Sequence, residues 1–173
     1  MFYASDEVET ALRETASEAA PYVVGRFETR RDAVILDLMA LPPIPSIFAE
    51  IPDTLEYNPR HVLTFLHHIA SEISRPIARD DRVHVNYVPT QIVTEYVRSR
   101  ILDEKTKADG IRFESAGHPG HASYVLFATQ ENMIGSSVHR FEPEDAWIAL
   151  LNVDRHEVTE EQLVAWRGNI DFE

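Results

Sequence analysis

Three pieces of one stretch decide the fold. They are Tyr87-Val88-Pro89-Thr90-Gln91-Ile92-Val93-Thr94-Glu95-Tyr96-Val97-Arg98, Gly110-Ile111-Arg112-Phe113-Glu114-Ser115, and Ser123-Tyr124-Val125-Leu126-Phe127. The first opens at a proline and places Ile92, Val93, Tyr96, Val97 and Ile101 on one helical face. In the other two, Gly110 reads as a turn and Ile111–Ser115 and Tyr124–Ala128 as strands, and the His118-Pro119-Gly120-His121 loop lies between them. Tyr87, Gln91 and Ser115 fall at the ends of these elements, where side chains converge on a pocket more readily than they fill a core.

Upstream, Phe2-Tyr3-Ala4 reads as a strand, and Ser5 to Ala20 as a helix that Asp6 caps, with Glu9 three residues on, and Pro21 closes. Val8, Leu12, Ala16 and Ala19 form its apolar stripe, and Glu14 lies off that stripe, nearer Thr10 and Ala11. Tyr22–Thr29 and Ala33–Met39 are expected to pair as a hairpin around Arg30-Arg31-Asp32. The prolines in Leu41 to Pro45 mark a loop, and a short helix is expected over Ile47–Glu50. Asn58 then caps a longer helix with Pro59 in its first turn and a face of Val62, Leu66, Ile69 and Ile73. Downstream, Trp147–Val153 is a strand, and Thr159 with Gln162 forms a capping box for a last helix through Trp166. With no repeat or linker, the expected class is mixed α/β (α+β), a central sheet with flanking helices.

The 173 residues suffice for one well-filled domain. Cysteine is absent, which removes disulfides, thiolate nucleophiles and cysteine zinc sites. No run approaches the roughly 18 uncharged apolar residues of a membrane span, and Met1 is followed by an acidic rather than a basic segment, so the expectation is a cytosolic protein. The formal charge of −13 argues against nucleic acid as a partner. A small anionic ligand stays open, since fourteen of the sixteen cations are arginines, the better forks for phosphate and carboxylate.

Several chemistries fail on pattern. There is no H-E-x-x-H, no G-x-S-x-G elbow and no phosphate-cradling glycine loop. A metal hydrolase built on His84, His118 and His121 can be drawn, but the default for these histidines is surface or core, and no metal is expected. A carboxylate, hydroxyls and amides remain. Each has a plain structural reading when taken singly: Glu14 a solvated helix residue, Tyr3 core, Ser115 a strand-end hydroxyl, Gln91 a first-turn residue.

Their order resembles the RES domain family, the toxin module of some bacterial toxin–antitoxin pairs. That family runs Y-x-A, A-L-x-E, Y-x-x-T-Q, G-(apolar)-x-(aromatic)-x-S, and a strand ending in L-F. Here these are Tyr3-Ala4, Ala11-Leu12-Arg13-Glu14, Tyr87-Val88-Pro89-Thr90-Gln91, Gly110 to Ser115, and Leu126-Phe127. The resemblance implies an ADP-ribosyltransferase-like fold over residues 1–153, with 154–173 as a helical tail packed on the same domain. It further implies cleavage of the nicotinamide–ribose bond of NAD by hydrolysis, phosphorolysis or ADP-ribosyl transfer, with NAD as substrate and no cofactor. Glu14 and Ser115 fall on catalytic positions, and Tyr3, Tyr87, Gln91 and Ser123 on substrate-binding ones. The implied partner is an Xre-like helix-turn-helix antitoxin, in an assembly larger than one-to-one. The family also carries an Arg-bearing segment before the Y-x-A strand and commonly an asparagine where Ser123 stands. The expectation is therefore that the natural polypeptide extends upstream of Met1, and the alternative reading is a non-catalytic RES-like binding or assembly module.

Overall fold

Alternation along Gly110–Glu114 and Ala122–Leu126 builds the centre of the molecule. A computed structural model of the chain describes residues 1–52, 58–75, 93–99, 107–135 and 146–168. In it β1 (Phe2–Ser5), α1 (Val8–Thr15), β2 (Pro21–Thr29), β3 (Ile35–Asp37) and α2 (Pro59–Ile73) precede a helical segment, α3, over 93–99. Then come β4 (Gly110–Glu114), β5 (Ala122–Leu126), β6 (Met133–Ile134), β7 (Ile148–Glu157) and α4 (Glu160–Gly168). The strands form two mixed sheets, β1-β5-β4-β3 and β2-β7-β6. The fold is the mixed α+β class expected.

In the first sheet the register aligns Tyr3, Val125, Ile111 and Leu36 in one row, and Ser5, Ser123 and Phe113 in the next. These rows share a face, because side chains alternate along a strand. Over its β3–β4 end, Leu36, Ile111 and Phe113 pack with Leu66, Ile69 and Ile73 of α2 and with Val93 and Val97 of α3. Phe2, Leu126 and Ala33 belong to the other face, where they meet Phe27, Trp147 and Ile148 of the second sheet. Gly110 is required where β4 passes β5: a Cβ there would lie 2.6 Å from the Val125 carbonyl oxygen.

The caps behave unequally. Asn58 accepts the Arg60 amide at 3.0 Å, as its position before Pro59 predicts. Thr159 and Gln162 close a reciprocal capping box at 2.9 and 3.3 Å. Asp6 does not cap α1. The N-cap is Glu7, without a side-chain bond, while burial, with Asp6 nearby, pushes the Tyr124 hydroxyl pKa up. Nor does α1 reach Pro21. Ala16 turns extended after Thr15, and the chain beyond is held by Tyr22, whose hydroxyl accepts from the Ser17 amide and donates to the Glu18 carbonyl. Leu12 and Ala16 are buried as expected, but Val8 and Ala19 are exposed, so the stripe is shorter than its spacing suggests. The Ile47–Glu50 segment is a turn closed by Ala49 on Ser46, its carbonyls claimed by the Arg60 guanidinium at 2.6 Å.

The expected hairpin does not form. β2 pairs along its full length with β7, and β3 runs parallel to β4 in the other sheet. Arg30-Arg31-Asp32 is a crossing between sheets, and its anchor comes from far away in sequence. Arg31 makes a two-pronged bond to Asp109 at 2.7 and 2.8 Å, with its guanidinium 4.6 Å from the Trp147 ring centroid. Asp109 also accepts the Val34 amide at 2.9 Å. The Arg31 hydrogen bond, against some desolvation, holds the Asp109 carboxyl below the ordinary aspartate range. A carboxylate with a depressed folded-state pKa contributes stability above its unfolded pKa and loses it as pH falls through the folded one. Asp109→Asn is therefore expected to lower Tm by roughly 2–4 °C at pH 7. The gap to wild type should shrink as the pH is taken below 4, and thermal melts across pH 2.5 to 7 check it; a gap that is constant with pH would refute the linkage.

Candidate functional site

Glu14 occupies the last turn of α1 on its solvent-facing side, and Ser115 is the first residue past β4. The Ser115 amide bonds the His121 carbonyl at 2.8 Å, which prolongs the β4–β5 ladder by one step. Alternation then places the Ser115 side chain on the face of Ile111 and Phe113. That side chain is 1% exposed. Its hydroxyl donates to Glu14 Oε1 in a short hydrogen bond and accepts the His118 amide at 3.0 Å. Glu14 Oε1 also receives the Gly117 amide at 3.3 Å. One carboxylate oxygen is thus fixed by a hydroxyl and a backbone donor.

Glycine at 117 allows this approach, since a Cβ would stand 3.1 Å from the Arg13 carbonyl oxygen. A second tie lies one turn back on α1. Thr10, fully buried, has its hydroxyl 2.8 Å from His118 Nδ1. Desolvation, with Arg13 and His121 adding to it, pushes the His118 pKa below the usual histidine value. The 116–121 loop is therefore fastened to α1 at Thr10 and at Glu14.

Among the residues singled out in the sequence, Glu14 and Ser115 are brought into direct contact. Tyr3 and Ser123 lie on the same face of the first sheet as Ser115, on β1 and β5. Tyr3 is 58% exposed, not core, whereas Ser123 is buried with its hydroxyl 3.4 Å from that of Ser5. Tyr87, Gln91 and His84 lie outside the described residues. A cavity of about 590 Å³, lined by Phe2, Ala4, Phe27, Arg31, Tyr124 and Leu126 among others, opens on the opposite face and includes neither Glu14 nor Ser115. Sequence reading missed Thr10, Gly117 and the second role of His118. The usable signal was the Pro-Gly pair at 119–120, which demands a tight turn and brings its flanks together.

A family model described as the RES domain matches residues 1–151. The chain belongs to the RES domain family. No curated protein and no solved structure matches it. The matched span contains β1, α1 and β4 through β5, so every residue of the Glu14–Ser115 network lies inside the RES domain. Among the described residues no helix is long and apolar enough to cross a membrane.

Removing the buried Ser115 hydroxyl would orphan the His118 amide and strip the exposed Glu14 of a donor. Ser115→Ala is expected to destabilise the RES domain by about 1–3 kcal/mol, the cost of a buried hydrogen bond left half-made. Urea unfolding followed by circular dichroism measures it; an unchanged midpoint would show that the network is not formed in solution.

Proposed function

We propose that this RES domain cleaves the bond between nicotinamide and ribose in NAD, with Glu14 as the catalytic residue. The supporting observation is the fixed carboxylate. Glu14 is held through one oxygen by Ser115 and Gly117, on an otherwise exposed side chain. In this reaction the C1′–N bond breaks, its electron pair goes to the nicotinamide nitrogen, and positive charge gathers on the ribose as in glycoside hydrolysis. A carboxylate beside the ribose hydroxyls stabilises that charge more than it stabilises the substrate, because the substrate's own charge lies on the departing ring.

Ser115 acts in this reading as a positioning residue, since both hydrogen-bonding roles of its hydroxyl are taken up by Glu14 and His118. Tyr3, exposed on the same sheet face, is a candidate stacking partner for the nicotinamide ribose, with Ser123 beside it in the sheet and Tyr87 and Gln91 as further substrate-binding residues. Family membership supports a role as the toxin of a toxin–antitoxin pair, neutralised by an Xre-like antitoxin. The charge of −13 favours a basic partner surface.

Purified protein is expected to release nicotinamide from NAD, and Glu14→Ala to slow turnover at least ~100-fold, the scale of losing one transition-state electrostatic contact. Ser115→Ala should lower kcat while leaving KM near its original value, measured well below the melting temperature. Wild-type turnover in Glu14→Ala refutes the assignment. NAD binding without nicotinamide release, seen by calorimetry and chromatography, would instead identify a binding module.

A further inference from the structure

His118-Pro119-Gly120-His121 forms a tight turn with proline in its second position and glycine at φ 85° in its third. The His121 amide returns to the His118 carbonyl at 3.1 Å, which is the type II arrangement this residue order favours. The Gly120 amide is further pinned by Glu114 Oε1 at 2.6 Å. Such a turn sets its first and last side chains next to each other. The two imidazoles stack with centroids 3.6 Å apart and planes 10° from parallel.

A third group comes from the start of α1. Glu7 Oε2 lies 3.2 Å from His121 Nδ1, and one ligand atom from each of Glu7, His118 and His121 falls within 4.8 Å of the others. We propose that these three residues form a binding site for a divalent transition-metal ion of the zinc class, with solvent at the remaining coordination position. Two imidazoles and a carboxylate are the donor set that zinc accepts and that magnesium and calcium, which want oxygen alone, do not. The buried Thr10 hydroxyl against His118 Nδ1 is the outer-shell partner such a site needs. With the ring proton on Nδ1, Thr10 accepts it and leaves the Nε2 lone pair for the metal.

Zinc bonds of about 2.0–2.2 Å place tetrahedral ligand atoms roughly 3.4 Å apart, so the site must contract by about an ångström. Parallel stacked rings do not aim their nitrogen lone pairs at one point, so His121 must also turn out of the stack. The side chains of Glu7 and His121, 54% and 37% exposed, have room for these movements, while His118 stays fixed by Thr10. A bound ion would join the N-terminal end of α1 to the loop whose amides hold Glu14 and Ser115. The site itself does not depend on NAD being the substrate.

Chelator-treated protein titrated with zinc chloride at pH 7 in a calorimeter tests this. Saturable one-to-one binding is expected, with a rise in Tm on loading. His121→Ala, Glu7→Gln and Thr10→Val should each weaken it at least about tenfold, the scale on which even an outer-shell partner matters. His61→Ala, on the exposed side of α2, should leave it unchanged, and magnesium chloride should give no heat. X-ray absorption of the loaded protein should show two imidazoles on the zinc. Equal affinity in wild type and in both His121→Ala and Glu7→Gln, or absence of saturable binding, would overturn the proposal.

Discussion

The Ser115 hydroxyl is the point at which sheet, loop and helix meet. It is nearly inaccessible, and it lies between a carboxylate that only accepts and an amide that only donates. A hydroxyl serves both at once through a single atom. Apolar side chains of similar size could fill the space but would leave the His118 amide unpaired. This single group ties the end of β4 to the last turn of α1 and turns a surface glutamate into an oriented one. An ordinary helix glutamate samples many rotamers, whereas Glu14 has one oxygen held by two donors. Preorganisation of that kind is what an electrostatic catalytic role requires.

Local chemistry was legible in the sequence and tertiary pairing was not. Asn58 before Pro59, and Thr159 three residues before Gln162, predicted two helix starts, because a cap satisfies neighbouring amides and needs no distant partner. The strands expected over Ile111–Ser115 and Tyr124–Ala128 are present as β4 and β5, each beginning one or two residues earlier. The hairpin failed for the opposite reason. Two strands joined by a polar triplet look alike whether they pair with each other or part between sheets. Here the choice falls to Asp109, 78 positions from Arg31, which anchors the crossing, and to β7, which supplies the ladder that β2 uses. Asp6 misled as well. Its spacing suits a cap, but the helix starts one residue later and Glu7 takes the N-cap position.

The candidate site divides along the same line. Glu14 and Ser115 were found through the order of family motifs, not through any property either shows alone, and the contact between them appears only in three dimensions. Thr10 illustrates the limit. A threonine within a helix usually faces solvent or bonds back to its own turn, so nothing in its neighbourhood announced full burial against His118. His118 and His121 were visible as a pair on a Gly/Pro loop, and among the described residues it is Glu7, at the start of α1, that completes the cluster.

The matched RES span ends at residue 151, but part of the apolar packing under the helix that carries Glu14 comes from beyond that boundary. At eight residues, α1 is too short to be stable by its own hydrogen bonds. It persists because Leu12 and Ala16 pack with Val158, Leu163 and Trp166. Arg13 adds a guanidinium 5.5 Å from the Trp166 ring centroid, and Arg167 donates to the Ser17 carbonyl at 2.8 Å just past the helix end. β7 itself runs without interruption from Ile148 to Glu157, past Val153, where the strand was expected to end. The C-terminal helix therefore supports the opposite end of the chain. The packing that keeps α1 helical thus draws on a tail outside the matched span, while the orientation of the Glu14 carboxylate is set by the Ser115 hydroxyl and the Gly117 amide.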